Sequence, residues 1–278
     1  MTSSRNDGTT GTGRARGEGQ ATRHEGVQGA AAFSKYMRVL QAIADDPGRV
    51  DMARLTKLLP YPRGTLYRIV AALIAEGLVK EERSGGMLQL GHRLIAFASK
   101  SWESSDLRSA ARDEIERLRR FSGETVHLAV PSGLGMVYID KLESPRTVRM
   151  TSRIGTRVEL YSTSVGKAYL AALPTDRRRE TVNVIEFRPR TPNTISNAAD
   201  LLAELDRIAE RGYATDNEEN EGEIRCFGSA IRDRTGVPVG CVSVSIPLHR
   251  HDETTAMKII EELKAVVDTI SRSIATFA

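Results

Sequence analysis

The chain has 278 residues, of which 40% are apolar and 27% are charged, and its formal net charge is +4. This length predicts about two domains, each large enough to bury a core. No apolar run approaches the roughly 20 residues that a membrane-spanning helix needs. The first residues lack the apolar stretch of a secretory signal, and two cysteines are too few for a disulfide scaffold, so a reducing cytoplasm is expected.

The positive charge is concentrated near the front of the chain. Residues 31–91 carry 9 basic and 6 acidic side chains, whereas residues 92–278 carry 27 of each. Between Met52 and Ala75 there are four basic residues and no acidic one. Such local charge is what a surface facing DNA phosphates requires, although a solvated basic helix would have the same composition.

Three short helices are predicted after a polar tail. Residues 1–30 contain few large apolar groups and are expected to be disordered. Apolar residues at helical spacing between 33 and 43 indicate the first helix, and Asp51 is placed to cap a second one that ends at Pro60. Pro62 suits the start of the third helix, and Gly77 suits its end.

A β-hairpin is expected next. Residues 78–82 and 87–90 have the character of strands and flank the turn Arg83-Ser84-Gly85-Gly86. A hairpin that follows three helices forms the wing of a winged helix-turn-helix. An amphipathic helix from Leu94 to Trp102 then leads out of this small domain.

The rest of the chain mixes helices and strands. Helices are predicted at 107–121, 165–173, 198–211 and 255–276, and strands at 125–130, 136–142, 147–152, 224–231 and 237–246. This pattern predicts an α+β fold with an antiparallel sheet. The predicted organisation is a tail (1–30), a winged helix-turn-helix domain (31–91), a linker helix (92–105) and a second domain (106–278).

The third helix is the predicted DNA-reading element. Its apolar stripe faces inward, so the polar residues near its N-terminus face outward, where a recognition helix contacts base edges and phosphates. Arginine suits guanine, and the helix start offers free N–H groups to a phosphate. The predicted DNA-binding residues, including two basic ones before this helix and one in the wing, are Arg54, Lys57, Arg63, Gly64, Thr65, Tyr67, Arg68 and Arg83.

The chain resembles the IclR family of bacterial transcription regulators in the segment PRGTLYRIVAALIAEGLV and in the LQLGHRL that follows it. The resemblance continues through YSTSVGKAYLA, RGYATDNEENEGEIRCFGSAIRD and CVSVSIP, in the family's order and at its usual separations. It covers nearly the whole chain beyond the tail. It implies a GAF-like second domain and a homodimer or homotetramer, held partly by the helix after the wing, that binds a palindromic DNA operator. Phe97 and Trp102 are expected near that contact.

The resemblance also implies a small-molecule effector site, formed by the residues Met150, Val158, Ser164, Val165, Asp216, Ile224, Cys226, Ser243 and Ser245. Two features of the residues agree with it. The STSVGKAYL run indicates a helix start, whose N–H groups favour a carboxylate, and Ser243 and Ser245 share one face of a strand. Each position also has a structural alternative, since Asp216 could cap a turn and Cys226 could be a small core residue.

Other functions have weaker support in the sequence than a regulator. Gly166-Lys167 lacks the remaining residues of a phosphate-binding loop, and His249 and His251 have no third metal ligand nearby, so no cofactor or metal is expected. An acyl-transfer enzyme or hydrolase with Cys226 as nucleophile and His127 as base is the alternative from another class. An architectural DNA binder would leave the neutral second domain without a role. The sequence therefore predicts a non-enzymatic regulator, by analogy a repressor, that responds to a small carboxylate or aromatic effector.

Overall fold

The computed structural model describes residues 29–82, 85–103 and 106–274. The chain divides into two compact units, one ending at Lys100 and the other beginning at Ser101. Residues 1–28 of the predicted tail and Arg83 lie outside the described residues, and so does the side chain of Trp102, whereas Ala30 at the end of the predicted tail already belongs to the first helix. Among the described residues, no helix combines the length and the apolar character that crossing a bilayer requires.

Among its described residues, the first unit contains three helices, a two-stranded hairpin and most of a fourth helix, which continues into the second unit. The elements are α1 (Ala30–Asp45), α2 (Met52–Leu58), α3 (Arg63–Ala75), β1 (Val79–Glu81), β2 (Leu88–Leu90) and α4 (His92–Glu103). Asp51 caps α2 as predicted, because its carboxylate accepts a hydrogen bond from the Arg54 amide at 2.7 Å. The antiparallel hairpin pairs Val79 with Leu90, which places the predicted wing directly after α3.

A single apolar core holds α1, α2, α3 and the hairpin together. Val39, Leu55, Leu66 and Leu88 are at most 1% exposed and belong to this core. Their burial fixes which face of each helix points outward. The backbone at Gly91 lies against the backbone at Gly77. An added Cβ at Gly91 would lie 2.0 Å from the Gly77 carbonyl oxygen, so only glycine fits there.

The second unit is built on a six-stranded antiparallel sheet. Its elements are α5 (Asp106–Ser122), β3 (Thr125–Pro131), β4 (Gly135–Leu142), β5 (Arg157–Glu159), α6 (Ser164–Ala172), α7 (Thr175–Asn183), α8 (Ala198–Arg211), β6 (Ala214–Asn217), β7 (Ile224–Arg232), β8 (Pro238–Pro247), a 3₁₀ turn (Leu248–Arg250) and α9 (Glu253–Ile274). The strand order is β5-β4-β3-β8-β7-β6. The predicted α+β architecture, a winged helix-turn-helix followed by a domain on an antiparallel sheet, is confirmed.

The two faces of this sheet differ in chemistry. One face, with Val126, Leu128, Val242 and Val244, packs against α5 and α9 in an apolar core. The other face packs against α6 and α8. At one end it carries Ala129 and Cys241 in a second apolar core, but toward the other end its side chains become polar, which is where the candidate effector site lies.

Several sequence predictions for the second unit were wrong. Residues 147–152 form no strand: Val148 is exposed, and the Ser152 carbonyl oxygen accepts a hydrogen bond from the Lys141 side chain instead of from a neighbouring strand. The strands β5 and β6 and the helix α7 were not predicted. The strands have three and four residues, too short for an alternating pattern, and α7 buries Val182 as its one apolar core residue.

Candidate functional site

The outer face of α3 is exposed and basic. Leu66, Ile69, Val70 and Leu73 point into the core, at most 5% exposed. We call the opposite residues near the helix start the DNA-reading face: Arg63, Gly64, Thr65, Tyr67 and Arg68. All of them are exposed except Thr65, which is half-buried. The structure therefore brings these five predicted residues together on one surface.

Arg63 and Tyr67 interact one helical turn apart. The guanidinium of Arg63 donates a hydrogen bond to the Tyr67 hydroxyl at 3.3 Å and lies 5.6 Å from the centre of its ring. This contact raises the pKa of Arg63, so the group stays cationic. It also orients both side chains outward from the helix start, where they would meet a base edge or a phosphate.

The N-terminus of α3 is open to a ligand. Pro62 precedes the helix and provides no side-chain cap, so the first backbone N–H groups have no capping partner. A Cβ added at Gly64 would meet no atom within 4 Å, and its φ angle is not positive. The fold therefore does not require glycine at this position. The absence of a side chain at Gly64 would instead allow a phosphate to approach the helix start closely.

The other predicted DNA contacts differ in their surroundings. Lys57 is exposed in the last turn of α2 and has no ion pair among the described residues. Arg54 forms an ion pair with Asp46, with 2.6 Å between the guanidinium nitrogen and the carboxylate oxygen. Its charge is partly compensated inside the unit, so Arg54 is a weaker candidate than Lys57. Arg83 lies outside the described residues, and nothing further follows for it.

In the second unit, four polar side chains form a row across neighbouring strands. Asp216 of β6 pairs with Cys226 of β7, which pairs with Ser245 of β8, which pairs with Thr125 of β3. The next row on the same face contains Gly228, Ser243, His127 and Lys141. We call the side chains of Thr125, His127, Asp216, Cys226, Ser243 and Ser245 the polar face. Each of them is at most 5% exposed.

The start of α6 lies directly on the polar face. A Cβ added at Gly228 would come within 2.8 Å of the Ser164 backbone, so this glycine allows the helix to approach the sheet. Thr163 caps the helix by accepting from the Gly166 amide at 3.1 Å. The first-turn amides of Ser164 and Val165 have no intrahelical partner by position. The structure thus places the predicted helix-start donors beside the polar face.

Asp216 has an unusual environment for a carboxylate. Its Oδ1 accepts hydrogen bonds from the amides of Glu219 at 2.7 Å and Asn220 at 3.3 Å. Burial, with a smaller contribution from the Glu219 carboxylate, nevertheless raises the pKa of Asp216 to about 7, although the amide hydrogen bonds and Lys167 act to lower it. Asp216 is therefore partly protonated near neutral pH and is able to donate a hydrogen bond to an anionic ligand.

A buried ion pair lies behind Asp216 and was missed from the sequence. The Lys167 ammonium is 2.5 and 2.6 Å from the two carboxylate oxygens of Glu219, and both residues are less than 10% exposed. The pair connects α6 to the loop after β6 across 52 residues of sequence. Lys167 was considered only as part of a phosphate-binding motif, and no local pattern indicated its partner.

A cavity of about 320 Å³ lies near the polar face and is lined by the predicted residues Met150 and Val158. Two further lining residues contact the polar face. Ser152 hydrogen-bonds to His127 at 2.7 Å, and the Asn220 amide donates to Asp216. Ile224 is half-buried on β7, two residues from Cys226 and therefore on the same face. Ser164, Val165, Cys226, Ser243 and Ser245 are not among the residues lining this cavity.

The structure does not support the enzyme alternative. The thiol of Cys226 donates to the Ser245 hydroxyl at 3.2 Å, and burial holds its pKa well above the ordinary value. His127 lies on another strand, where it contacts Ser152 and Tyr138. A nucleophile needs a base within hydrogen-bond reach, and these two residues do not form such a pair. The described residues also contain no group of three side chains able to hold a metal ion.

Two family models match the chain. Residues 33–83 match the IclR helix-turn-helix domain, and residues 99–272 match the C-terminal domain of the bacterial transcriptional regulator IclR. The chain belongs to the IclR family. The HTH-type transcriptional regulator KdgR of Escherichia coli is 31% identical over 241 residues, which are 87% of this chain and 90% of that protein. The family predicted from the sequence is confirmed.

Solved structures show the same fold as this IclR-family chain. IclR of Thermotoga maritima is 34% identical with a TM-score of 0.71, over 88% of this chain and 99% of that one. An IclR homologue from Microbacterium hydrocarbonoxydans, complexed with 4-hydroxybenzoate, is 22% identical with a TM-score of 0.75, over 88% and 99% of the two chains. At 22% identity this second likeness supports the fold.

Proposed function

We propose that this IclR-family regulator is a cytoplasmic repressor that binds a palindromic DNA operator as a homodimer or homotetramer and changes its operator affinity when a small organic acid binds. The DNA-reading face carries the proposal, because it combines outward arginines with an uncapped helix start and a glycine that the fold does not need. A single helix in one groove gives little affinity, so a two-fold operator calls for a two-fold protein.

The polar face supports an acid as the effector. The helix-start amides of α6 favour a carboxylate, and Ser243 and Ser245 present hydroxyls from one face of β8. Asp216 adds a donor when it is protonated. The Microbacterium homologue binds 4-hydroxybenzoate, which contains a carboxylate. The carboxylate, rather than the aromatic ring, is the feature that these donors would recognise.

The linker helix α4 is proposed to couple effector binding in the second unit to DNA binding by the first. The chain passes from the first unit to the second through α4, and the boundary between the units falls after Lys100 within it. Phe97 on this helix is 53% exposed, which fits the expected contact with a second copy. An effector regulates only if it binds the DNA-competent and DNA-incompetent arrangements with different affinity.

Selection from random-sequence duplexes tests the proposal. The enriched DNA should contain two inverted half-sites about one helical turn, or a multiple of it, apart. Gel-shift titrations of that site with a panel of carboxylic acids should then reveal one that weakens binding by roughly 5–150-fold, the range of a ~1–3 kcal/mol coupling. No enriched site would contradict the DNA-binding proposal, and an acid that strengthens binding would contradict repression relieved by ligand.

The enzyme and architectural alternatives give different results in the same preparation. A hydrolase would convert one of its substrates to product on incubation, whereas a regulator returns each acid unchanged. An architectural protein would show no ligand-dependent rise in melting temperature, whereas binding to the folded state raises it. Sedimentation should show at least a dimer at micromolar concentration, and a monomer with and without DNA would refute the assembly.

A further inference from the structure

His127 occupies a buried position on the polar face that the proposed effector site does not use. Its side chain is 0% exposed, and it faces Ser243 on one neighbouring strand and Lys141 on the other. Its Nε2 lies 2.7 Å from the Ser152 hydroxyl, and its ring stacks on Tyr138 with centroids 4.4 Å apart. Its Nδ1 is buried and has no hydrogen-bond partner among the described residues.

An unpaired buried nitrogen is costly in a folded protein. Leaving such a group without a partner forfeits the hydrogen bond that it makes with water in the unfolded chain, and native structures usually satisfy it with water or a ligand. Burial and the neighbouring Lys141 lower the pKa of His127 to about 3, so the ring is neutral at physiological pH. Neutral imidazole carries one donor and one acceptor nitrogen, so Nδ1 offers one neutral hydrogen bond.

The ring lies between the cavity and the predicted ligand-binding serine. Ser152 and Tyr138, which touch the ring, both line the 320 Å³ cavity. Ser243 is directly opposite His127 in the strand register, and such cross-strand pairs have Cβ atoms about 4.5–5.5 Å apart. Because Nδ1 is the ring nitrogen closer to the backbone, a ligand group seated at Ser243 is within its reach.

The charges around His127 indicate what kind of group it contacts. The Lys141 ammonium is engaged by the Glu143 carboxylate at 2.9 Å and by the Ser152 carbonyl oxygen at 2.8 Å. Lys141 is the cation opposite His127 in the strand register, and its charge is already compensated by Glu143. A second carboxylate of the ligand would be buried here without an unpaired cation, which is strongly unfavourable, whereas a hydroxyl needs only one neutral partner.

We propose that His127 is a specificity-determining residue of the effector site and that its Nδ1 hydrogen-bonds a hydroxyl group of the effector beside Ser243. The effector is then a hydroxycarboxylic acid, with the carboxylate at the start of α6 and a hydroxyl at His127. This inference rests on the proposed function, because it assigns a ligand class to that site.

Two substitutions distinguish the hydrogen-bonding roles of the two ring nitrogens of His127. His127→Asn keeps a polar atom near the position of Nδ1 and loses the contact to Ser152. His127→Gln keeps a polar atom near the position of Nε2 and loses the one at Nδ1. Calorimetric Kd values are measured for three pairs of acids that differ in hydroxyl groups: lactate and propionate, gluconate and hexanoate, 4-hydroxybenzoate and benzoate.

The wild-type protein should prefer at least one hydroxy acid over its deoxy partner by about tenfold, the upper range for one buried hydrogen bond. His127→Asn should retain the preference, and His127→Gln should lose it. Ser152→Ala removes the partner of Nε2 and leaves Nδ1 in place, so the Kd values of both acids in a pair should change alike and the preference should persist. Nitrogen-15 NMR of the wild-type protein should show the Nδ1 signal shifting with the hydroxy acid but not with its partner.

The outcomes distinguish this inference from the proposed function. Equal preference in wild type and His127→Gln, or an unmoved Nδ1 signal, would overturn the inference and indicate that His127 only packs the fold. An acid that releases the operator without any hydroxyl preference would overturn the inference and leave the proposed function standing. A wild-type protein whose operator affinity responds to no acid would overturn both.

Discussion

The DNA-reading face and the polar face carry the two proposed functions, and they present their side chains in opposite ways. On α3 the functional groups are exposed except for the half-buried Thr65, lie within six residues of sequence and make few contacts with the rest of the fold. On the sheet they are buried, come from four strands and are held by hydrogen bonds and an ion pair. Substitutions on α3 should therefore affect function alone, whereas those near the sheet affect stability as well.

The largest effect is expected at the ion pair behind the polar face. Lys167→Met leaves the Glu219 carboxylate buried without its cation, which should lower the free energy of unfolding by ~3–5 kcal/mol. Urea unfolding measures this loss. Arg177→Ala is the matched control, because its pair with Glu180 is exposed and should cost less than about 0.5 kcal/mol. Similar losses in both variants would contradict the contrast between the regions.

Substitutions on the DNA-reading face should change the operator affinity without changing the free energy of unfolding. Arg63→Ala and Arg68→Ala each remove an exposed cation, so operator affinity should fall by ~1–3 kcal/mol if the arginine reads a base. A phosphate contact would instead lower the salt dependence of log K by about one unit. Fluorescence anisotropy over a range of salt concentrations assigns each role. Unchanged affinity in both variants would exclude α3 as the reading element.

Gly64→Ala also tests whether DNA binding and stability are independent on α3. The added methyl group meets no atom of the protein, so the melting temperature should stay the same or rise slightly. Operator binding should nevertheless weaken, because the methyl group obstructs a phosphate at the helix start. Normal binding with normal stability would show that the open N-terminus of α3 makes no close DNA contact.

Removal of the serine hydroxyls should uncouple the two functions. In the double variant Ser243→Ala and Ser245→Ala, the effector loses two hydrogen-bond donors while the DNA-reading face is untouched. Operator binding without ligand should persist, and the release by an identified acid, roughly 5–150-fold in wild type, should disappear. A normal response would require the effector site to be placed elsewhere.

The smallest expected effect is a pH dependence of effector binding. Burial raises the pKa of Asp216 to about 7, so this group is mostly protonated at pH 6 and mostly ionised at pH 8. The protonated form donates to a ligand carboxylate and the ionised form repels it, so affinity should fall by up to about tenfold over that range. Calorimetry with Asp216→Asn should give a flat profile, and a wild-type affinity that rises with pH would contradict the assignment.

The sequence by itself determined the small domain and its reading helix. The apolar spacing of α3 fixes which side is buried, and the outward position of Arg63 and Arg68 follows from that spacing within one helix. Asp51 was placed as a cap for the same reason, since a cap bonds to an amide three residues away. Family motifs in the second domain indicate most residues of the polar face, although they do not indicate how these residues are arranged.

Only the tertiary structure decided how the second site is arranged. The order of β6, β7, β8 and β3 brings Asp216, Cys226, Ser245 and Thr125 into one row, and the pairing of Lys167 with Glu219 spans 52 residues. From the sequence, His127 was a candidate only for the base of the enzyme alternative, and its unpaired nitrogen and its position beside Ser243 and Ser152 depend on the packing of distant segments. Periodicity reports the face of a single element, whereas the partners across a sheet depend on strand order and register, which arise from contacts distant in sequence.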